Sequence, residues 1–204
     1  MKIICIGLNY IDHLKEMGCE IPKEPIFFMK ADTALLRNNQ PFFYPDFTQN
    51  LHYEVELIIR INKVGKSIAE KYASRYYSEI GVGIDFTARD IQHKCMDNGM
   101  PWEIAKAFDY SAPVSPEFIP VSDFANLQDI SFRLDINGRT VQIGNSKNLI
   151  FGFDKIISHI SQFVTLKIGD LVFTGTPAGV GGVKIGDNLK AYIEDRLMLD
   201  FEIK

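Results

Sequence analysis

The sequence predicts one mainly β domain with a few short helices, an α+β arrangement. Three observations carry this. Strand-like runs outnumber helical patterns; they do not alternate regularly with them, which disfavours a doubly wound parallel sheet. The chain's 204 residues suffice for one hydrophobic core and are short for two, so a single domain over 1–204 is expected.

Taken in order, Lys2–Ile6 opens the chain as a short β-branched run, and Ile26–Met29 is a second. His52–Ile61 and Ile80–Phe86 are the longest strand patterns in the first half. Helical spacing predicts Ile68–Tyr77 and Ala88–Asn98, the latter with Thr87 as its N-cap, and later Phe153–Gln162. Asn137-Gly138 between alternating stretches marks a hairpin whose first strand is Ile130–Ile136. Leu171–Thr174 follows, then Leu189–Glu194 and Leu197–Ile203, turned at Glu194-Asp195-Arg196. Ile168-Gly169-Asp170 and Ile185-Gly186-Asp187 place the same Gly-Asp turn chemistry before two strands.

Composition narrows the function classes. The net charge of −4 and pI near 5.6, with no basic stripe, argue against a nucleic-acid partner. The apolar start MKIICIGLNY reaches a polar Asn without a cleavage pattern and reads as a strand, not a signal peptide. No run approaches the ~18 apolar residues of a membrane span. Cys5, Cys19 and Cys95 are odd in number with no CxxC, which fits a reducing compartment, and the cytoplasm is expected.

The chemistry-bearing residues begin with His52-Tyr53-Glu54-Val55-Glu56-Leu57. In a strand, Tyr53, Val55, Leu57, Ile59 and Ile61 share one face, while Glu54 and Glu56 share the other about 6.5–7 Å apart. Two like charges on one face repel, and a divalent cation offsets that repulsion; all-oxygen ligands suit Mg²⁺, Mn²⁺ or Ca²⁺. Asp85, ending an apolar run, is a candidate third ligand. The pair alone also describes a solvated sheet face, and Asp85 alone a turn or capping acid.

If a helix starts near Asp12, His13 and Glu16 sit at i and i+3, where the carboxylate orients the ring and raises its basicity. A surface His beside a helical acid has the same spacing. His52, His93 and His159 lack such a setting. Lys106 stands among apolar residues, either to polarise a carbonyl or bind a carboxylate, or to snorkel at the surface. Asp85, Arg89 and Gln92 step onto a helix and line either a pocket mouth or a charged helical face. Thr174–Gly182 exposes backbone N–H groups and hydroxyls suited to an anion, or forms a structural turn; it lacks both P-loop and dinucleotide patterns.

The stretches IICIGLNYIDHLKE, HYEVEL, IDFTARDIQ, MPWEIAKAFD and LVFTGTPAGVG run in order from residue 3 to about 182. Together they resemble the fumarylacetoacetate hydrolase superfamily, closest to its short acylpyruvate hydrolase and oxaloacetate decarboxylase type. The resemblance implies a mixed β-sandwich or roll around a site where Glu54, Glu56 and Asp85 hold Mg²⁺ or Mn²⁺. It implies that His13 and Glu16 activate water, that Lys106 contacts the oxo-acid end, and that Arg89, Gln92 and Thr176 lie near a small 2-oxo acid substrate. A homodimer is implied as well, and Leu8 departs from the arginine many members carry.

The expected reaction is cleavage of an acylpyruvate C–C bond to release pyruvate. Oxaloacetate decarboxylation and isomerisation of a 2-hydroxy-muconate-type diacid are the sister alternatives. A non-catalytic metal- or 2-oxo-acid-binding protein is the alternative of another class. Met17–Pro25 is a candidate lid.

Overall fold

The apolar β-branched runs form the main sheet, and polar turns between them set its order. The computed structural model describes residues 1–204. β1 (Ile3–Gly7) leads through α1 (Ile11–Met17) to β2 (Ile26–Lys30), followed by the short β3 (Leu35–Leu36). β4 (Leu51–Tyr53) and β5 (Val55–Ile61) precede β6 (Tyr77–Ile84) and β7 (Thr87–Ala88). α2 (Arg89–Asp97), α3 (Glu103–Lys106), β8 (Ala112–Pro113) and β9 (Ile119–Pro120) form the middle of the chain. The hairpin β10 (Ser131–Ile136) and β11 (Arg139–Asn145) is followed by α4 (Phe153–Phe163) and β12 (Leu171–Phe173). β13 (Gly181–Gly182) and the hairpin β14 (Asn188–Ile193) and β15 (Arg196–Glu202) complete the fold.

Six strands order as β2-β1-β12-β5-β6-β9, with β1 and β12 parallel and the other pairs antiparallel. A four-stranded sheet, β11-β10-β14-β15, packs over β5 and β6. The two smaller sheets are β13-β4-β7 and β3-β8. This is the mixed, mainly β architecture with short helices that the sequence predicts.

Burial explains the two strand textures. In the main sheet, Ile4, Ile6, Leu57, Ile59 and Val172 face the large core, whereas Ile3, Cys5, Ile58 and Phe173 enter a second cluster on the opposite face. A strand buried on both faces reads as a continuous apolar run. β14 instead alternates, with Leu189, Ala191 and Ile193 inward. α4 buries Phe153, Ile156, Ile157 and Ile160 at helical spacing, each such side chain contributing about 1.5–3 kcal/mol. No helix is long and apolar enough to cross a membrane.

Turn chemistry follows the sequence closely. Asn137 and Gly138 take φ of 52° and 76°, the left-handed pair a type I′ hairpin needs. Asp170 and Asp187 each accept a hydrogen bond from the backbone N–H three residues earlier, at 2.7 and 2.8 Å, across Gly169 and Gly186.

Four details differ from expectation. Ile68–Tyr77 is not an α-helix but a 3-10 segment over Glu70–Tyr76. The chain just before it is tied to α4: Ser67 N donates to Ser161 O, and Ile68 N to Ser161 Oγ. Thr87 does not cap α2; it pairs with His52 in the sheet, and Ala88 is the N-cap residue. The expected strand His52–Ile61 breaks at Glu54. The strand expected over Ile80–Phe86 starts at Tyr77 and stops at Ile84, leaving Asp85 just beyond it.

Candidate active site

The break at Glu54 has a topological cause. β4 pairs with β7 and β13, whereas β5 pairs with β6 and β12, so the chain changes sheets between Tyr53 and Val55. The β5–β6 register sets Val55 opposite Ile84 and Glu56 opposite Gly83. Asp85, one residue on, donates its backbone N–H to Glu54 O at 2.8 Å. Pairing across the sheet therefore brings together three acids that are separate in sequence. Glu54, Glu56 and Asp85 are buried, with ligand-type oxygens all within 4.8 Å of one another.

Three cations surround them. Lys106 Nζ lies 2.8 Å from both Glu54 Oε2 and Asp85 Oδ2. Arg89 Nη2 lies 2.5 Å from Glu54 Oε1, and its Nη1 donates to Gln92 Oε1 at 2.5 Å. Lys30 Nζ forms a buried ion pair with Asp85 Oδ1 at 2.7 Å and also lies against the carbonyls of Lys106, Phe86 and Ser111 and the Ser111 hydroxyl.

Electrostatics separate the acids. Burial pushes the Glu54 carboxyl up, but the Lys106 and Arg89 charges outweigh it and hold it far below the usual range. Burial would lower Lys106, yet Asp85 and Glu54 hold its ammonium above its ordinary value. Glu56 has no cation in contact; it accepts a hydrogen bond from Gly175 N at 2.6 Å. Burial, then the charges of Asp85 and Glu54, push it well above the carboxylate range.

A divalent ion fits this donor set. Three hard oxygen ligands suit Mg²⁺ or Mn²⁺; the ligand-type oxygens lie within 4.8 Å of one another; and Glu56 lacks the contacting positive charge its neighbours have.

α1 carries the second feature. His13 Nδ1 lies 3.1 Å from Glu16 Oε2, and the Glu16 carboxylate also accepts from Gly179 N at 3.3 Å. With Nδ1 engaged, Nε2 is left for the cavity that His13 lines. Gly18, in the left-handed region, ends α1, so Met17 and Cys19 turn into the same cavity wall.

That cavity, about 300 Å³, unites His13, the three acids, Arg89, Gln92, Lys106 and Thr176. Every candidate site residue except Glu16 lines it, and Glu16 touches it through His13. Its other wall is apolar, formed by Leu8, Met17, Ile26, Phe28 and Trp102. Thr176 is turned by its hydroxyl, which donates to Val55 O at 3.0 Å.

Sequence reasoning missed Lys30. Its one signal was a lone charge closing an apolar run, the pattern that singled out Asp85. His52, read as structural, accepts a 3.4 Å hydrogen bond from Arg89 Nε and so helps set that guanidinium.

Fold and site thus define an acid-lined pocket, with three carboxylates that could hold a metal ion, on a mixed β scaffold. The family model described as fumarylacetoacetate (FAA) hydrolase C-terminal matches residues 2–204, and the chain belongs to that family. It is 39% identical over 203 residues to the mitochondrial oxaloacetate tautomerase FAHD1 of Mus musculus, covering 100% of this chain and 91% of that protein. It is 41% identical over 189 residues to the oxaloacetate tautomerase YcgM of Escherichia coli, covering 92% and 86%. Among solved structures it resembles fumarylpyruvate hydrolase from Pseudomonas aeruginosa in complex with Mn²⁺ and pyruvate, at a TM-score of 0.93 and 36% identity over 100% and 89% of the two chains.

Proposed function

We propose that this chain is a Mg²⁺- or Mn²⁺-dependent enzyme that moves the C3 proton of small 2-oxo acids, with oxaloacetate keto–enol tautomerisation as its first reaction. The observation that carries this is the buried Glu54–Glu56–Asp85 cluster opening, beside Lys106 and Arg89, onto one cavity with His13. Lys106, Arg89 and Lys30 lie against Glu54 and Asp85, while Glu56 has no cation in contact. A divalent ion then leaves an excess of positive charge, which matches a dianionic 2-oxo diacid or the enolate of an acylpyruvate. The names of the mouse and Escherichia coli relatives bring oxaloacetate ahead of the acylpyruvate that the sequence put first.

When bound by Glu54, Glu56 and Asp85, the ion supplies Lewis-acid stabilisation of negative charge on the 2-oxo oxygen. Lys106 and Arg89 bind and orient the substrate's carboxylate end; Gln92 and the Thr176 hydroxyl contribute hydrogen bonds. His13 Nε2, with Glu16 holding Nδ1, takes the proton from C3 as that C–H bond breaks. The proton is then delivered to oxygen, completing keto to enol; the reverse path runs through the same groups. The apolar wall excludes bulk water, and Met17–Pro25 serves as the lid over it.

A second reading rests on the His13–Glu16 pair itself. Such a pair also activates water, and attack at C4 of an acylpyruvate breaks the C3–C4 bond to give pyruvate and a carboxylic acid. The two readings are separated by following the ultraviolet absorbance of enol-oxaloacetate and the cleavage of acetylpyruvate, each with Mn²⁺ and with a chelator. Accelerated enol loss without acetylpyruvate cleavage supports tautomerisation, and the converse supports hydrolysis. If Mn²⁺ binds and neither substrate reacts faster than in buffer, the chain is a binding protein and the proposal fails. We further propose a homodimer in a reducing compartment such as the cytoplasm, supported by the exposed Phe47 and Ile104 beside an open apolar hollow and by three free cysteines.

A further inference from the structure

Gln142 lies on β11, in the four-stranded sheet, yet its side chain reaches into the acid strand. Val55 N donates to Gln142 Oε1 at 2.9 Å, and Gln142 Nε2 donates to Thr176 Oγ1 at 3.0 Å and to Pro177 O at 2.9 Å. Thr176 Oγ1 in turn donates to Val55 O at 3.0 Å. These bonds close a ring: the Val55 N–H, the Gln142 amide, the Thr176 hydroxyl and the Val55 carbonyl. Gln142 is 1% exposed, so no bulk water substitutes for it. The amide orientation is unambiguous, because an N–H must meet an acceptor and a carbonyl must meet a donor. An apolar residue of the same size leaves the Val55 N–H and the Pro177 carbonyl buried and unpaired.

Val55 is the residue between Glu54 and Glu56, at the point where the chain leaves one sheet for another. On the β6 edge Val55 and Glu56 stay in register, but on the other edge the β12 ladder ends at the Ile58 and Phe173 pair, so Val55 meets Gln142 and Thr176 there instead of a strand. The loop on the other side of the ring also supplies the Gly175 N–H that meets Glu56 Oε2 at 2.6 Å. One buried amide therefore sets both the strand that carries the two glutamates and the loop that carries Thr176.

We infer that Gln142 is a positioning residue of the acid site: through the Val55–Thr176 ring it holds Glu54 and Glu56 in the arrangement that binds a divalent cation. The inference rests on reading the three acids as a cation site, and it adds a residue that touches neither cation nor substrate. Loss of an outer partner of this kind weakens metal affinity by about 10- to 100-fold.

The test is Mn²⁺ binding by the otherwise intact protein, read as the free-Mn²⁺ electron paramagnetic resonance signal, with melting temperature recorded alongside. Gln142→Met is the near-isosteric variant. Gln142→Ser leaves room for a water at the Val55 N–H and keeps the test available if Gln142→Met does not fold. Ile160→Ala, on the buried face of α4, lowers the melting temperature without touching the ring. Both Gln142 variants are expected to bind Mn²⁺ about 10- to 100-fold more weakly than the parent, whereas Ile160→Ala binds it as the parent does. Parent-like affinity in a folded Gln142 variant, or an equal loss in Ile160→Ala, overturns the inference while the cation site stands. If the parent itself binds no Mn²⁺, the cation-site reading fails and the inference falls with it.

Discussion

Glu56 is the acid that no cation reaches, and this separates it from its neighbours. Burial and the charges of Asp85 and Glu54 raise its carboxyl well above the ordinary range. In the metal-free chain it therefore keeps a proton that the unfolded chain has released. Stability should then fall as pH rises above the ordinary carboxylate range, by at most about 1.4 kcal/mol per pH unit. Glu54 has the opposite sign: held low by Lys106 and Arg89 against its burial, it contributes stability that is lost only on acidification. Thermal unfolding in chelator between about pH 5 and 8 should show the decline, and Glu56→Gln should flatten it. His13 makes a different prediction. His13→Ala should slow enol-oxaloacetate turnover by about 10²- to 10⁴-fold yet bind Mn²⁺ as the parent does, because His13 contacts Glu16 and not the acids. A matching loss of Mn²⁺ affinity would show that His13 also shapes the acid site. The i, i+3 spacing made this pair visible in sequence; its closeness to the acids was not, since α1 and β5 meet only in the folded chain.

Among elements, the β5–β6 pair assembles the site. It places Gly83 directly across from Glu56, on the same face of the sheet. A Cβ on Gly83 would stand 2.5 Å from Pro113 O, a backbone atom, and 2.6 Å from Cδ1 of the fully buried Ile58. Gly83→Ala should therefore destabilise by about 1–3 kcal/mol in denaturant unfolding and weaken Mn²⁺ binding by displacing β6. Gly175 is constrained for a second reason: its φ is +107°, and a Cβ would come within 2.7 Å of Asn9 Cβ. Strand patterns located β5 and β6 well. They did not reveal the break at Glu54, because the alternation of Tyr53, Val55 and Leu57 runs straight through it and only strand pairing shows that β4 and β5 belong to different sheets. The helical spacing over Ile68–Tyr77 gives no α-helix: the segment is anchored to α4 through Ser161 just before it and runs directly into β6 after it.

At the scale of the whole molecule, cation binding is linked to folding. If the three acids bind only when assembled, Mn²⁺ at about 100 times its dissociation constant stabilises the fold by about 2.7 kcal/mol. For a chain of this size that is a rise of about 5–10 °C in melting temperature, and Glu56→Gln should abolish it. Sedimentation of the parent should show a dimer if the apolar hollow around Phe47 and Ile104 is a subunit contact. The amino-acid sequence by itself determined the fold class, both hairpin turns, the two Gly-Asp turns and the chemical character of the acids, the His–Glu pair and the buried lysine. Each of these follows from local spacing or residue type. Only the tertiary structure decided that Asp85 joins Glu54 and Glu56, that Lys30 stands beside Asp85, and that Gln142 closes a ring around Val55. Those contacts depend on strand register and sheet order, which bring together residues separated by up to 121 positions. From sequence, the acids Glu54 and Glu56 were a statement about residue type; the structure turned it into one about pairing, because a carboxylate alone is a charge and only a register brings it beside the other two.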